Sequence, residues 1–414
     1  MKTFSEHLNE TILGARTPKR HLEIGECQSP DGARCALCHA VNITYQTEIS
    51  LKNKALVKFW EQRFPAGSLQ SLVPSPLGRG YRTVTKRRAF HGHHSCRLGL
   101  IAPTDDGSYE AFDVGRCLIE PEPHSAIYHK LQELLEKPYA EPLREVLNHV
   151  VVKGSYTEET LILNVREITL PVVRAANTVS KSITHMFKSV VGVFLFEDPS
   201  SGGYYLGRRS TATERASLRK VFGKAEIYHK TRGRSFMYSP VAFSQTNQSM
   251  LEPLVAAAED LLSLSSEMIL VDLYCGYGLF ALCLAGTVRY VEGIEISSES
   301  VASAIANARR QKVKNVRFVR ADITADSIAR VMKSMPERTA VILDPPRSGV
   351  ADGVIECLAA RKPAKVLHIF CNIDIMPAAL RLWARSGYQI VKTVPLDMFP
   401  GTSTIEMMVL LTPS

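Results

Sequence analysis

Hydrophobic and polar positions alternate with different periods along the middle of the chain. Residues 128–136 have helical spacing, whereas residues 148–153, 160–165 and 190–196 have the alternation or apolar character of strands. The first 50 residues are polar and rich in turn formers. The pattern therefore predicts a mixed, strand-rich central domain that follows a polar amino-terminal segment.

After residue 245, short apolar runs rich in β-formers alternate with helical stretches, of which 250–263 and 300–310 are the clearest. The strand-like runs are Met268–Leu273, Tyr290–Ile294, Val316–Val319, Ala340–Leu343, Lys365–Phe370, Gln389–Val394 and Ile405–Leu411. This alternation predicts an α/β fold with a parallel, Rossmann-like sheet between helices. The last two runs are joined by a loop and predict an antiparallel hairpin at the edge.

The chain has 414 residues, which suggests two or three domains. Hydrophobic residues make up 45 % and charged residues 22 %, as is usual for globular proteins. No apolar run reaches the roughly 18–20 residues of a membrane span, and Met1–His7 lacks the apolar core of a signal peptide. We therefore expect a cytoplasmic protein without a membrane partner.

The net charge of +9 favours a polyanionic partner. Residues 51–100 hold ten basic residues and one acidic residue, and a second basic cluster covers residues 208–234. Aromatic residues that could stack on unpaired bases lie among them: Phe59, Trp60, Tyr81, Tyr228 and Phe236. Two basic clusters with interleaved aromatic residues favour nucleic acid, although solvated basic faces are the alternative.

A glycine turn follows the first strand of the carboxyl-terminal part, at Asp272–Ala281, and Glu295 ends the next strand. This pattern fits a dinucleotide site as well as an S-adenosylmethionine site, because both place a carboxylate near a ribose. Asp272 favours S-adenosylmethionine, since it would repel a pyrophosphate and attract an amino acid moiety. Asp322, after the third strand, is placed to bind an adenine amino group.

The next two strands end in residues suited to base methylation. Asp344–Gly349 contains a rigid diproline that can hold a planar base. Cys371 ends the following strand, where a thiolate could add to C6 of uracil and make C5 nucleophilic. Glu406 begins an apolar strand and could accept the C5 proton. A structural turn, a buried inert cysteine and an edge glutamate are the alternatives.

These residues together resemble the RNA (uracil-5-)-methyltransferases. The resemblance rests on Asp272–Phe280, Gly293–Glu295, Asp344–Gly349, Cys371-Asn372, Asp397–Glu406 and the Phe243–Asn247 segment. It implies that Cys371 is the nucleophile and Glu406 the proton acceptor. It also implies S-adenosylmethionine contacts from Gln245, Tyr274, Glu295, Asp322 and Asp344.

The sequence departs from the family pattern around the nucleophile. His368-Ile369-Phe370 stands where the family usually has Tyr-x-Ser, Ile375 replaces a threonine, and Thr404 replaces a histidine. We expect these changes to touch the uracil pocket. They leave a catalytically weakened RNA-binding relative as one alternative.

Four of the nine cysteines extend the resemblance. Cys27, Cys35, Cys38 and Cys117 look like the [4Fe–4S] ligands of the family's 23S rRNA branch. The 26 residues before Cys27 leave no room for a TRAM domain, so the compact form is expected. Zinc and uncomplexed thiols are the alternatives for these cysteines, and Cys96 is expected to be a bystander.

The sequence thus predicts an iron–sulfur segment over 1–120, a central RNA-binding domain over 121–244 and a catalytic domain over 245–414. The expected activity is S-adenosylmethionine-dependent formation of 5-methyluridine in 23S rRNA by a monomer. A tRNA T-loop uridine is the alternative substrate.

Overall fold

The computed structural model describes residues 2–15, 38, 43–64, 67–92, 95–103, 109–112, 115–200, 218–331 and 338–414. The α-helices are α1 (Phe4–Gly14), α2 (Tyr45–Glu61), α3 (Glu122–Leu135), α4 (Glu141–Val146), α5 (Leu170–Met186), α6 (Leu251–Leu262), α7 (Leu279–Leu284), α8 (Ser298–Arg310), α9 (Ala325–Val331), α10 (Val354–Ala359) and α11 (Met376–Arg385). Within these ranges, no helix is both long and apolar enough to cross a bilayer.

The strands are β1 (Val84–Gly92), β2 (Ser95–Pro103), β3 (Tyr109–Phe112), β4 (Leu147–Gly154), β5 (Glu159–Val165), β6 (Val190–Glu197), β7 (Leu218–Gly223), β8 (Ile227–Thr231), β9 (Arg234–Tyr238), β10 (Ile269–Leu273), β11 (Tyr290–Glu295), β12 (Val316–Arg320), β13 (Thr339–Leu343), β14 (Lys365–Phe370), β15 (Tyr388–Leu396) and β16 (Glu406–Pro413). They form two seven-stranded sheets and one separate hairpin, β8–β9.

The first sheet has the strand order β3-β2-β1-β4-β5-β6-β7. Its α3, α4 and α5 helices bury their apolar sides against one face, in a core that includes Leu131, Leu143 and Val179. The predicted helix and the three predicted strands of this region are confirmed. Strands β1–β3 were not predicted. They lie before residue 120 but share one sheet with β4–β7, so this sheet crosses the predicted domain boundary. The three-part division of the chain stays a prediction.

The second sheet has the order β12-β11-β10-β13-β14-β16-β15. Strands β10 to β14 are parallel, as the alternating pattern predicts. Strand β16 is antiparallel to β14, and β15 pairs with β16 at the outer edge. The predicted edge hairpin is thus confirmed, and the connection between its strands, residues 397–405, returns the chain to the carboxyl edge of the parallel strands.

The amino-terminal helices belong to the core of this second sheet. Phe4 and Leu8 of α1 and Phe59 and Trp60 of α2 lie in one buried cluster with residues of the sheet and of α11, such as Trp383. The expectation of a turn-rich first segment is therefore wrong for α1 and α2. The polar pattern misled because each helix is amphipathic and buries only one face.

Several residues of the basic clusters are interior. Lys52 and Arg87 are buried in ion pairs, the latter with both carboxylate oxygens of Glu120 at 2.8 and 2.9 Å. Four of the five aromatic residues proposed to stack on bases are also buried: Phe59, Trp60, Tyr81 and Phe236. The stacking hypothesis is therefore wrong for these four side chains, which are core residues.

Replacing Phe59 tests the shared core. Its ring is 1 % exposed and meets Phe4 edge-on at 6.3 Å. We expect Phe59→Ala to lower the free energy of unfolding by about 3–5 kcal/mol, because it leaves a cavity between α1, α2 and the sheet. Urea denaturation measures this. Val57→Ala, on the exposed side of the same helix, is the control, and equal effects of the two changes would contradict the packing.

Candidate active site

Parallel pairing brings the candidate site residues to one edge of the second sheet. Leu273, at the end of β10, pairs with Ile294 of β11 and Leu343 of β13. The residues that follow these strand ends therefore leave the sheet at a common level. The predicted site residues at or just beyond the ends of the five parallel strands are Asp272, Tyr274, Glu295, Asp322, Asp344 and Cys371.

The backbone of the turn after β10 leaves room for a ligand to approach closely. Tyr274, Gly276 and Gly278 have φ of 65°, 54° and 89°, in the left-handed region that favours glycine. A Cβ at Gly276 would meet no atom within 4 Å, so the turn faces open space. Glu295 accepts a hydrogen bond from the Gly276 N–H at 3.1 Å. The turn and the acidic side chain of β11 thus form one unit.

Buried carboxyl groups lie beneath this turn. Asp272 is 1 % exposed, and its Oδ2 accepts a hydrogen bond from the Ala281 N–H at 3.0 Å. Its Oδ1 has no hydrogen-bond partner within the described part of the chain. Burial, reinforced by the charges of Asp344 and Glu295, raises the pKa of Asp272 to about 8. Loss of water likewise raises the pKa of Asp344 to about 7.

Two other predicted cofactor residues lie at the rim. Asp322 is exposed and accepts a hydrogen bond from the Ile323 N–H at 2.8 Å. Its charge contributes, after burial, to a raised pKa of Tyr274, which places Asp322 near the turn. Gln245 is half-buried, two residues before Asn247, whose amide donates to the Met398 carbonyl at 3.1 Å. The segment of Gln245 therefore adjoins the connection between β15 and β16.

Cys371 and Glu406 are brought together by the antiparallel pairing of β14 with β16. Phe370 pairs with Met407, so the next residues outward, Cys371 and Glu406, face one another across the edge. The thiol lies 3.8 Å from the carbonyl oxygen of Pro345. The nucleophile and proton acceptor implied by the resemblance thus meet beside the diproline.

The surroundings of Cys371 and Glu406 favour the protonated forms of both side chains. Burial, followed by the charges of Glu406 and Asp344, raises the pKa of Cys371 to about 12. Burial raises the pKa of Glu406 to about 8, and its Oε2 has no hydrogen-bond partner among the described residues. Arg347 opposes both shifts with its positive charge. Glu406 is therefore a stronger proton acceptor than an exposed glutamate.

An open cavity of about 190 Å³ lies directly against Cys371. It is lined by Phe4, Ser5, Arg347, Cys371, Asn372, Ile373, Asp374, Ser403, Thr404 and Ile405. One wall comes from the connection that precedes β16, and another comes from the start of α1. The cavity lining includes a thiol, a guanidinium group and an amide, from Cys371, Arg347 and Asn372.

The altered residues before Cys371 do not line this cavity. His368 is 1 % exposed, accepts a hydrogen bond from Trp383 Nε1 at 3.1 Å and stacks on Phe370 at 3.9 Å. Burial lowers the pKa of His368 to about 3. The expectation that His368 and Phe370 touch the pocket is wrong, because both side chains are core residues beside α11. Thr404 does line the cavity, as expected.

Phe4 and Ser5 are cavity residues that the sequence analysis missed. The Phe4 N–H donates to Asp374 Oδ1 at 3.1 Å, which joins the start of α1 to the segment after Cys371. A signal was present in the sequence. Thr3 and Glu6 form a capping box, in which each side chain binds the other residue's backbone N–H. That motif predicts a helix start at Phe4.

The predicted cluster ligands are only partly described. Cys38 and Cys117 pack in one small apolar cluster with Tyr81, Ile119 and Phe399. Cys27 and Cys35 lie outside the described residues. Within the described ranges, no group of three or more side chains is arranged to hold a metal ion. Cys38 and Cys117 therefore lie in the same small apolar cluster.

The fold and the residues at its carboxyl edge are those of an α/β enzyme with a nucleotide-type turn and a cysteine–carboxylate pair. Residues 213–414 match the family model described as tRNA (Uracil-5-)-methyltransferase. The carboxyl-terminal half of the chain is thus similar to the tRNA (uracil-5-)-methyltransferases, and relatives of the chain are described as RNA methyltransferases.

Individual relatives and one solved structure extend this comparison. A Thermosynechococcus vestitus protein named as an uncharacterized RNA methyltransferase is 28 % identical over 99 % of this chain and 91 % of its own length. A Streptococcus agalactiae protein of the same description is 29 % identical over 71 % of this chain, and the match spans only 64 % of that relative. The crystal structure of Pyrococcus abyssi tRNA (uracil-54, C5)-methyltransferase with S-adenosyl-L-homocysteine has a TM-score of 0.66 at 21 % identity. It covers 90 % of this chain and 84 % of that chain, which shows a shared fold.

The raised pKa of Asp272 predicts a pH dependence of stability. The pKa is about 8 in the folded protein against 3.8 for an ordinary aspartate, so the folded state binds this proton more tightly. The stabilising contribution is fully present below about pH 4 and is lost as the pH rises through about 8. We therefore expect the unfolding free energy of the parent protein to fall between pH 4 and 8. Asp272→Asn should make this fall smaller by on the order of 1–3 kcal/mol.

Urea denaturation at several pH values measures this dependence. Asp352→Asn replaces an exposed aspartate and should follow the parent protein at every pH. Parallel curves for the parent protein and Asp272→Asn would contradict a protonated, buried Asp272.

Proposed function

We propose that this protein transfers a methyl group from S-adenosylmethionine to C5 of a uridine in RNA. The single observation that carries this proposal is that Glu406 faces Cys371 across the sheet edge, where Cys371 lines a cavity beside the Asp344 diproline. A thiol and a buried carboxyl group are the two protein groups that C5 methylation of a uracil needs.

The turn and carboxylates of the carboxyl edge fit a cationic nucleoside cofactor. Gly276 leaves space for close approach, Glu295 is positioned for ribose hydroxyls, and Asp272 carries an oxygen without a hydrogen-bond partner among the described residues. When bound, S-adenosylmethionine supplies an electrophilic methyl group and a positive charge. Tyr274, Asp322, Asp344 and Gln245 are proposed as further contacts.

The proposed chemistry at the base uses the cysteine–carboxylate pair. The Cys371 thiolate adds to C6 of the uracil, and the electrons of the C5–C6 double bond pass to C5 and the O4 carbonyl. C5 then takes the methyl group. Glu406 removes the C5 proton, the C5–C6 double bond forms again, and the Cys371 thiolate leaves. The raised pKa of Glu406 suits the proton removal, and the positive charge of Arg347 offsets part of the rise in the pKa of the Cys371 thiol.

The proposed substrate is 23S rRNA, with a tRNA T-loop uridine as the second candidate. The first rests on the sequence resemblance in the cysteines. The second is favoured by the fold shared with the Pyrococcus abyssi enzyme, whose name gives tRNA uridine 54 as its target. In either RNA the base must leave its stack to meet both a thiol and a methyl donor.

Substitution of the nucleophile tests the activity. We expect the parent protein with the donor to methylate 23S rRNA and to become covalently joined to a 5-fluorouridine-substituted transcript. Cys371→Ala should lose the covalent complex, and methyl transfer should fall by about 1,000-fold or more, because no thiolate remains to activate C5. Labelled donor, gel electrophoresis and nucleotide-resolution mapping measure the three outcomes.

Cys283→Ala removes another half-buried cysteine of the same part of the chain and should behave as the parent protein does. Undiminished methylation by Cys371→Ala would overturn the covalent mechanism. Methylation of tRNA instead of 23S rRNA would replace the first substrate by the second. Salt-sensitive RNA binding without methylation by the parent protein would support the non-catalytic alternative.

We further propose that Cys27, Cys35, Cys38 and Cys117 hold a [4Fe–4S] cluster. The common packing of Cys38 and Cys117 supports this ligand set. Because Cys38 and Cys117 are not among the residues that line the cavity, the proposed cluster has a structural role and ties the amino-terminal segment to the start of the first sheet.

Iron content tests the cluster. Anaerobically purified protein is expected to carry about four iron and four sulfide ions per chain, and Cys117→Ser should lose most of them because it removes one thiolate ligand. Cys96→Ser is the control, since Cys96 is buried in a different core cluster. Zinc in the parent protein, or unchanged iron in Cys117→Ser, would contradict this ligand set.

A further inference from the structure

The connection between β15 and β16 is held by side chains from distant parts of the chain. Five successive residues, Asp397 to Gly401, each have a buried side-chain partner. Tyr45 and Lys52 donate to the Asp397 carboxylate, and Lys52 also donates to the Phe399 carbonyl. Asn247 donates to the Met398 carbonyl and Tyr81 to the Pro400 carbonyl. Glu48 accepts a hydrogen bond from the Gly401 N–H. A surface loop of this length does not need such anchoring.

The strongest of these contacts form a buried charge network with α2. Lys52 Nζ lies 2.7 Å from Glu48 Oε1 and 2.8 Å from Asp397 Oδ1, and all three side chains are at most 1 % exposed. Arg79 reaches the other Glu48 oxygen at 3.0 Å. The network therefore contains two cations and two anions, and its charges balance.

Stability alone is a weak explanation for such a network. Desolvation of buried ions offsets most of their attraction, so apolar residues of similar volume would serve the core as well. Charged contacts instead fix the positions of the groups that make them, because each buried ion must keep its hydrogen-bond and ion-pair partners.

The fixed segment leads directly into the candidate site. Leu396 and Glu406 pair across the hairpin, so the residues between them form one closed turn. Its first half, Asp397–Gly401, is bound by α2 and its neighbours. Its second half, Ser403–Ile405, lines the cavity against Cys371 and ends at Glu406. A shift of the first half must therefore move the second half and the carboxyl group that follows it.

We propose that Glu48 and Lys52 of α2 are positioning residues for Glu406. They act through Asp397 and Gly401 and touch neither the cavity nor the reacting atoms. This inference rests on the proposed function, because it assigns the two residues to the proton-removal step. Helix α2 thereby contributes to catalysis from a position some 350 residues before the proton acceptor.

The test is a charge-balanced double variant, Lys52→Met with Asp397→Asn, which removes one cation and one anion and leaves the Arg79–Glu48 pair. If the turn loses its geometry, turnover should fall about 10-fold to 100-fold, while KM for the donor and for RNA should stay within about two-fold. Since proton removal follows methyl transfer, the covalent protein–RNA complex should also accumulate with unmodified RNA. Tyr45→Phe removes a single hydrogen bond to Asp397 and should give a smaller effect of the same kind.

Two controls make the outcomes separable. Lys392 lies on the same hairpin and forms an exposed ion pair with Asp260 of α6. Lys392→Met breaks this pair and should leave turnover unchanged. Glu406→Gln should itself accumulate the covalent complex. The positioning role is overturned if Glu406→Gln accumulates the complex while the folded double variant and Tyr45→Phe both have the turnover of the parent protein. If Glu406→Gln accumulates no complex, the proton-removal step of the proposed function is overturned, and the inference with it.

Discussion

The removal of carboxyl groups from water is the constraint on which this site depends. Asp272, Asp344 and Glu406 converge at the carboxyl edge of one sheet, and each has a raised pKa. The charge of Asp344 acts on both of the other carboxyl groups, so like charges and the loss of water together favour their protonated forms. A positively charged ligand can take the place of those protons. The same feature that destabilises the ionised protein thus favours a positively charged ligand at this edge.

The candidate site is assembled from both halves of the molecule. The parallel sheet supplies the glycine turn and Cys371, whereas α1 supplies a cavity wall and α2 anchors the turn before Glu406. One apolar core covers both contributions, because the rings of α1 and α2 pack with the sheet and with α11. The amino-terminal helices are therefore part of the architecture of the carboxyl-terminal sheet.

The sequence predicted the second sheet well because its strands are short apolar runs separated by helical stretches, a pattern that has few alternatives. The ends of those strands carry Asp344 and Cys371, so their common location followed from parallel pairing. The fold of the amino-terminal part could not be predicted in the same way. Helix α2 has charged residues such as Glu48 and Lys52 on its buried side, and partners outside the helix, Asp397 and Arg79, make that burial acceptable.

The interpretation of basic and aromatic residues was wrong for several of them, for a related reason. Arg87 and Trp60 look like surface groups suited to RNA in a sequence, but Arg87 is neutralised by Glu120, and Trp60 fills a core. Local composition does not reveal pairing across long stretches of chain. His368 is a similar case, since its hydrogen bond from Trp383 explains a residue that the sequence alone assigned to the pocket.

The hydrogen bond between Phe4 and Asp374 joins residues 370 positions apart. During synthesis on a ribosome, α1 and α2 emerge long before the strands that cover their apolar faces. Such distant contacts form slowly, because a long segment of chain must first be closed. The apolar residues of α1 and α2 therefore stay uncovered until the carboxyl-terminal strands have been translated.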